Sequence, residues 1–187
     1  NVHFDAGTEV GNVCALFNSV AEKNGNTLRY SVENTKQVIL FGDAQRFQQI
    51  LYNLLSNALK FTEQGTITLS LGHGTGKFAN ELPVAISVRD TGIGIQAEEL
   101  ARIFDAFHQV REGPAVDGTG LGLAINQRLI RLLGGESLRV ASVPGKGSLF
   151  RFAIPYRSAA KSQSPAVPSA TAEWPEALAD VTAREIT

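Results

Sequence analysis

Residues 43–62, DAQRFQQILYNLLSNALKFT, form one amphipathic helix whose two faces differ in kind. At about 100° per residue, Phe47, Ile50, Leu51, Leu54, Leu55 and Ala58 make one face, while Arg46, Gln49, Asn53, Asn57 and Lys60 fall within an arc of roughly 80°. One face is built to be buried, and Asp43, after Gly42, is the expected N-cap. The polar stripe has two readings. It is either a solvated face or a metal and phosphate site, because carboxamide oxygens are hard, neutral ligands suited to Mg²⁺ and Lys60 adds a point charge for phosphates.

The flanking segments supply the partners for that apolar face. Residues 1–6 read as a short strand, and Val10, Val13, Leu16, Phe17, Val20 and Ala21 repeat at helical spacing up to Asn24-Gly25. Leu28, Tyr30 and Val32 alternate, as do Val38, Leu40 and Gly42, which predicts two short strands before the central helix. After it, Ile67, Leu69 and Leu71 alternate with Thr66, Thr68 and Ser70, giving a half-buried strand. The loop GHGTGKFANEL contains Gly76-Lys77 but is no P-loop: Leu71 stands where the first glycine would be, and Phe78 follows the lysine.

In PVAISVRD a period of two puts Val84, Ile86, Val88 and Asp90 on one side. Asp90 therefore points inward, where a carboxylate is costly without a donor. TGIGI follows, with Gly92 and Gly94 allowing close approach of backbone to a ligand. Residues 96–110 begin as a helix and carry Phe104 and Phe107 as an apolar plug, and 113–118 read as a mobile loop. GTGLGLAINQRLIRLLGG then places Gly118, Gly120 and Gly122 before a helix whose expected core face is Leu121, Ile125, Leu129 and Leu132. Exposed N–H groups at such a helix start suit phosphate oxygens, but GxGxG is not the dinucleotide fingerprint. Two strands, around Leu138–Ser142 and Phe150–Ile154, close the domain.

Composition limits the alternatives. The net charge of −1 supplies no basic excess for nucleic acid, so nucleic acid is excluded as a partner class. No apolar run is long enough to cross a membrane, and no signal peptide is evident, which predicts a soluble, cytoplasmic segment without direct membrane contact. Cys14 cannot form an internal disulfide and is expected to be a buried, inert thiol. The chain starts at Asn1 and contains no methionine, which predicts a piece of a longer protein. From Ser158 to Ala172, eleven of fifteen residues are Ala, Ser or Pro, so 158–187 read as a linker or tail with a short helix around Trp174, Leu178 and Val181. Residues 1–157 are the folded domain.

Taken together, NLLSNALKFT, DTGIGI, IFDAFHQ, GTGLGL and PGKGSLF resemble, in order and spacing, the N, G1, F, G2 and G3 boxes of sensor histidine kinases over about residues 4–156. The resemblance implies their ATP-binding catalytic domain, within the wider GHKL superfamily. It implies an α+β fold: a two-layer α/β sandwich with a mixed, mostly antiparallel sheet covered by helices on one face. It also implies ATP and Mg²⁺ as cofactors, with Asn57 ligating the metal, Asn53 assisting near the phosphates and Lys60 contacting phosphate. Asp90 would accept from the adenine amino group, with Gly92, Gly94 and Ile95 lining its pocket, Phe61 packing on the base and Ser148 offering a hydroxyl nearby. Gly118, Thr119, Gly120, Leu121 and Gly122 would border the lid and triphosphate, supported by Phe104 and Phe107, with Gln109 and Arg111 as phosphate contacts.

The family's phosphoacceptor histidine lies on a separate dimerisation domain. His3, His73 and His108 do not match its setting, so the expected partners are a histidine-containing dimerisation domain and a response regulator or receiver domain. The superfamily's ATPases carry a glutamate where Asn53 stands, and an amide cannot act as a general base, so efficient hydrolysis is not expected. The alternative is a nucleotide-binding sensor or scaffold module without phosphotransfer.

Overall fold

The computed structural model describes residues 2–33, 38–73, 82–108 and 119–156. In chain order the elements are β1 (Val2–Asp5), α1 (Ala6–Lys23), β2 (Thr27–Val32), β3 (Ile39–Gly42), α2 (Ala44–Phe61), β4 (Thr66–His73), β5 (Leu82–Asp90), α3 (Ala97–Leu100), α4 (Gly122–Leu132), β6 (Arg139–Val143) and β7 (Gly147–Tyr156). The main sheet has the order β2-β4-β5-β7-β6. Only β2 and β4 run parallel; every other neighbouring pair is antiparallel. This is the mixed, mostly antiparallel sheet that the family resemblance implies. β1 and β3 make a separate two-stranded antiparallel sheet.

Alternation along the strands decides which face is covered. Ile67, Leu69 and Leu71 of β4, Val84, Ile86 and Val88 of β5, and Phe150, Phe152 and Ile154 of β7 are all buried. The register stacks them in rows, with Leu71 opposite Ile86 and Ile86 opposite Phe152. Thr68, Ser70, Ser87 and Arg151 occupy the other face, where Ser31 and Ser70 share a hydrogen bond of 3.0 Å. Against the apolar face, α2 contributes Phe47, Ile50, Leu51, Leu54, Leu55, Ala58 and Leu59, all buried, and α1 contributes Val10, Val13 and Cys14. Burial pushes the Cys14 thiol up to about 11, in keeping with an inert core residue.

The helix ends follow local chemistry. Asp43 Oδ1 accepts from the N–H groups of Gln45 (3.1 Å) and Arg46 (3.2 Å), capping α2 where the sequence placed its start. α4 closes in a Schellman arrangement: Gly134 (φ 86°) donates to the Arg131 carbonyl at 3.0 Å, and Gly135 donates to that of Ile130 at 2.9 Å.

Two expectations need correction. The helix begun at residue 96 ends at Leu100, after one turn, and of the two phenylalanines beyond it only Phe104 packs on the core. Phe107 is 74% exposed with φ at 65°, so it is no plug. The core face of α4 is also shifted. Its buried residues are Asn126 and Ile130, with Leu129 partly buried, whereas Leu132 is 58% exposed and Ile125 is exposed too. A polar side chain can occupy the centre of that interface because its hydrogen bonds are met there. The loop 74–81, the lid segment 109–118 and the tail 157–187 lie outside the described residues.

Candidate functional site

Asp90 is the last residue of β5, and the alternation that buries Val84, Ile86 and Val88 carries it inward to 5% exposure. Its Oδ1 accepts from the backbone N–H of Gly92 at 2.9 Å and of Ser148 at 3.2 Å. Desolvation raises the carboxyl pKa above its ordinary value, and the two N–H donors offset part of that rise. Neither described bond uses Oδ2.

Backbone fits closely around this carboxylate. A Cβ on Gly92 would stand 2.1 Å from the Phe61 carbonyl oxygen, and Gly94, at φ 71°, would put one 2.0 Å from that of Val143. Only glycine lets the TGIGI turn lie so near the end of α2 and the β6–β7 turn. Ile93 bridges both, donating to the Phe61 carbonyl at 3.1 Å and accepting from Gly145 at 2.7 Å. Ile95 donates to Ser142 Oγ at 2.9 Å. Ser142 in turn donates to the Gly147 carbonyl at 2.9 Å. Its single proton is thereby spent, so in the 2.9 Å contact between the two hydroxyls Ser148 is the donor. Thr62 Oγ1, beside Gly92, is buried and has no hydrogen-bond partner among the described residues.

Sequence reasoning missed Ser142 and Gly147 here. Gly147 has φ 105° and passes within 2.1 Å, measured from a Cβ, of the Asp90 carbonyl oxygen. The PGKGS turn was its visible signal, since a second glycine there has no turn to make. Asn26 was missed as well. Its carboxamide donates to the Thr62 carbonyl at 2.7 Å and accepts from Gly65 at 2.9 Å, fastening the chain where α2 delivers Phe61.

The other end of the site lies eight residues back along α2, about 12 Å at 1.5 Å per residue. Asn53 is half-buried and donates through Nδ2 to Asn126 Oδ1 at 2.9 Å, with the Gly122 carbonyl 3.5 Å from the same nitrogen. Asn57 and Lys60 follow on α2, both half-buried, and Lys60 Nζ lies 5.3 Å from the centre of the Phe61 ring. α4 begins facing this region with Leu121 as its N-cap and no side chain capping it. Its first N–H groups and the positive end of its dipole suit an anion.

Gly120 (φ 67°) is fixed by contact, because a Cβ there would sit 2.6 Å from the His108 carbonyl oxygen. Its own carbonyl accepts from the N–H of Phe107 at 3.1 Å, which ties together the two ends of the segment 109–118. Gly122 differs. Among the described residues the nearest atom to a Cβ there is Asn53 Cγ at 3.9 Å, an ordinary contact. His108 Nε2 contacts Glu99 Oε2 at 2.5 Å. Thr119 is exposed, Leu121 half-buried, and Gln109, Arg111 and Gly118 lie outside the described residues.

Among the described residues no group of three or more His, Cys, Asp or Glu side chains could hold a metal ion alone. The available ligands are neutral carboxamide oxygens, which fit a Mg²⁺ that keeps waters and shares its shell with phosphate.

Residues 42–158 match the family described as histidine kinase-, DNA gyrase B-, and HSP90-like ATPase. The chain is 44% identical over 138 residues to the sensor histidine kinase RcsC of Escherichia coli K12, covering 73% of this chain and 14% of that one. It superposes on full-length ShkA in complex with AMPPNP with a TM-score of 0.68 at 34% identity, covering 84% of this chain and 31% of that one. It also superposes on the catalytic domain of histidine kinase ThkA, with a TM-score of 0.68 at 27% identity, covering 83% and 97% respectively. The chain thus spans about a seventh of the length of the curated relative.

Proposed function

The chain belongs to the histidine kinase-, DNA gyrase B- and HSP90-like ATPase family, and on that premise we propose that it is the ATP-binding catalytic domain of a sensor histidine kinase. It would position Mg-ATP for transfer of the γ-phosphate to a histidine on a separate dimerisation domain, with a response regulator or receiver domain downstream. Asp90 carries the reading: a buried carboxylate held through Oδ1 by two backbone N–H groups, in a pocket closed by glycines. A buried acceptor of this kind discriminates strongly, because a ligand without a matching donor leaves it unpaired. The adenine amino group is such a donor.

In this reading Ser148 and the backbone of Gly92 and Gly94 line the adenine pocket, Phe61 packs on the base, and Ile95 closes the wall behind it. Asn53, Asn57 and Lys60 face the triphosphate, with Asn57 as the metal ligand. The start of α4, Thr119 to Gly122, offers N–H groups to phosphate oxygens. Bound Mg²⁺ supplies charge neutralisation on the triphosphate. The residues themselves bind, orient and exclude water, which is most of what phosphoryl transfer asks of a protein. Phe104 anchors the base of the lid, Phe107 extends from it, and Gln109 and Arg111 belong to the lid segment as phosphate contacts.

None of the chain's three histidines suits the acceptor role. His3 packs its ring against Phe41 with centroids 5.0 Å apart, and His108 is engaged by Glu99. The test is to add a dimerisation domain bearing the acceptor histidine and follow labelled γ-phosphate. Acid-labile label on that domain, absent when the chain is incubated alone, is the expected result. Tight ATP binding with no transfer to any matched dimerisation domain would instead make the chain a nucleotide-binding sensor or scaffold.

A further inference from the structure

We propose that Asn126 is a positioning residue that fixes the rotamer of the Asn53 carboxamide, so that Oδ1 rather than Nδ2 is presented to the metal-bound triphosphate. The inference rests on the function proposed above.

Asn126 lies on α4 against α2 and is 0% exposed. Its Nδ2 is 3.3 Å from the Ile50 carbonyl oxygen. A carbonyl can only accept, so the amide nitrogen of Asn126 must occupy that side and its Oδ1 must face the other way, toward Asn53. There it accepts from Asn53 Nδ2 at 2.9 Å, and the Gly122 carbonyl lies on the same side at 3.5 Å. Turning the Asn53 amide by half a rotation would set its oxygen against two acceptors and lose both contacts. One backbone carbonyl therefore dictates the orientation of two carboxamides in series. No described hydrogen bond uses Asn53 Oδ1, and that oxygen is the atom a hard cation or its bound water can use; an NH₂ group cannot ligate.

The placement of a carboxamide here also needs a reason. The neighbouring contacts of α4 on the core are made by Ile130 and Leu129, and an aliphatic side chain at 126 would pack against α2 without hydrogen bonds to meet. A fully buried amide costs free energy that only its bonding can offset. Its bonding partners are a helix carbonyl and Asn53.

The experiment is calorimetric titration of ATP, in excess EDTA and in excess Mg²⁺, into the chain, Asn126→Leu and Asn57→Ala. Asn126→Leu should keep its EDTA affinity within about twofold while the enhancement given by Mg²⁺ falls about tenfold, the size usual for an outer-shell partner of a metal site. Its melting temperature should not fall. An unchanged Mg²⁺ enhancement overturns the proposal, as does an equal loss in EDTA, which would mean general loosening. If Asn126→Leu does not fold, nuclear Overhauser contacts between the Asn53 side-chain amide protons and α4 in the unaltered chain decide. They should persist when Mg²⁺ and a non-hydrolysable ATP analogue are added; their loss overturns the proposal. Failure of the unaltered chain to bind ATP in either buffer overturns the functional reading as well, whereas retained enhancement in Asn126→Leu overturns the role of Asn126 alone.

Discussion

Asp90 combines three demands on one carboxyl group: burial, two backbone donors to one oxygen, and a second oxygen outside that bonding. Its pKa is raised in the fold, so over the window between the unfolded value of about 4 and the raised folded value the native state holds a proton that the unfolded chain has released. The native state then binds more protons, and stability falls as pH rises through that window. Asp90→Asn removes the group, so melting temperatures measured from about pH 4 upward should decline less steeply in the variant than in the parent. An identical slope would mean that Asp90 is not desolvated as described. The inward direction of Asp90 was legible from the period of two along PVAISVRD. Its donor from Ser148, 58 residues away, was not, because no local pattern encodes a contact between β5 and the β6–β7 turn.

The elements themselves were read with uneven success, and the reasons are physical. α2 was plain because its polar and apolar faces separate cleanly and Asp43 marks its start. Leu54→Ala, deep in that face, should cost about 2 to 5 kcal/mol in denaturant unfolding, a cavity no neighbour is free to fill. α4 was read with the wrong face because an apolar-counting rule gives no weight to Asn126, whose burial depends on two partners in α2. The end of α3 was not legible, because Phe104 and Phe107 keep helical spacing while the backbone at Phe107 has already turned to φ 65°. The glycines before α4 divide likewise. Gly120→Ala forces a left-handed residue and a backbone clash, and should lower stability by at least about 1 kcal/mol. Gly122→Ala meets nothing closer than 3.9 Å among the described residues and should leave the unfolding midpoint nearly unchanged while weakening ATP binding. A Gly122→Ala chain that bound ATP as well as the parent would remove the triphosphate from the start of α4.

At the scale of the molecule, one apolar layer does two jobs. It holds α1 and α2 against the sheet and α4 against α2, and it sets the two ends of the candidate site along α2: Asn53 against the start of α4, and the Phe61 carbonyl against Gly92 and Ile93. Alternation marked the individual strands, whereas the mixed sheet and its helical cover followed from the resemblance of five short motifs to one family. No helix among the described residues is long and apolar enough to cross a membrane. On the function proposed above, this site binds Mg-ATP, with Asp90 reading the base and Asn57 reaching the metal. The most direct test is titration calorimetry of Mg-ATP against the chain, Asp90→Ala and Asn57→Ala, with EDTA controls. Binding by the chain is predicted, with losses of about 1 to 3 kcal/mol in each variant, and with the Asn57→Ala loss disappearing in EDTA. Absence of binding, or equal affinity in all three proteins, would mean that Asp90 and Asn57 do not form a nucleotide site.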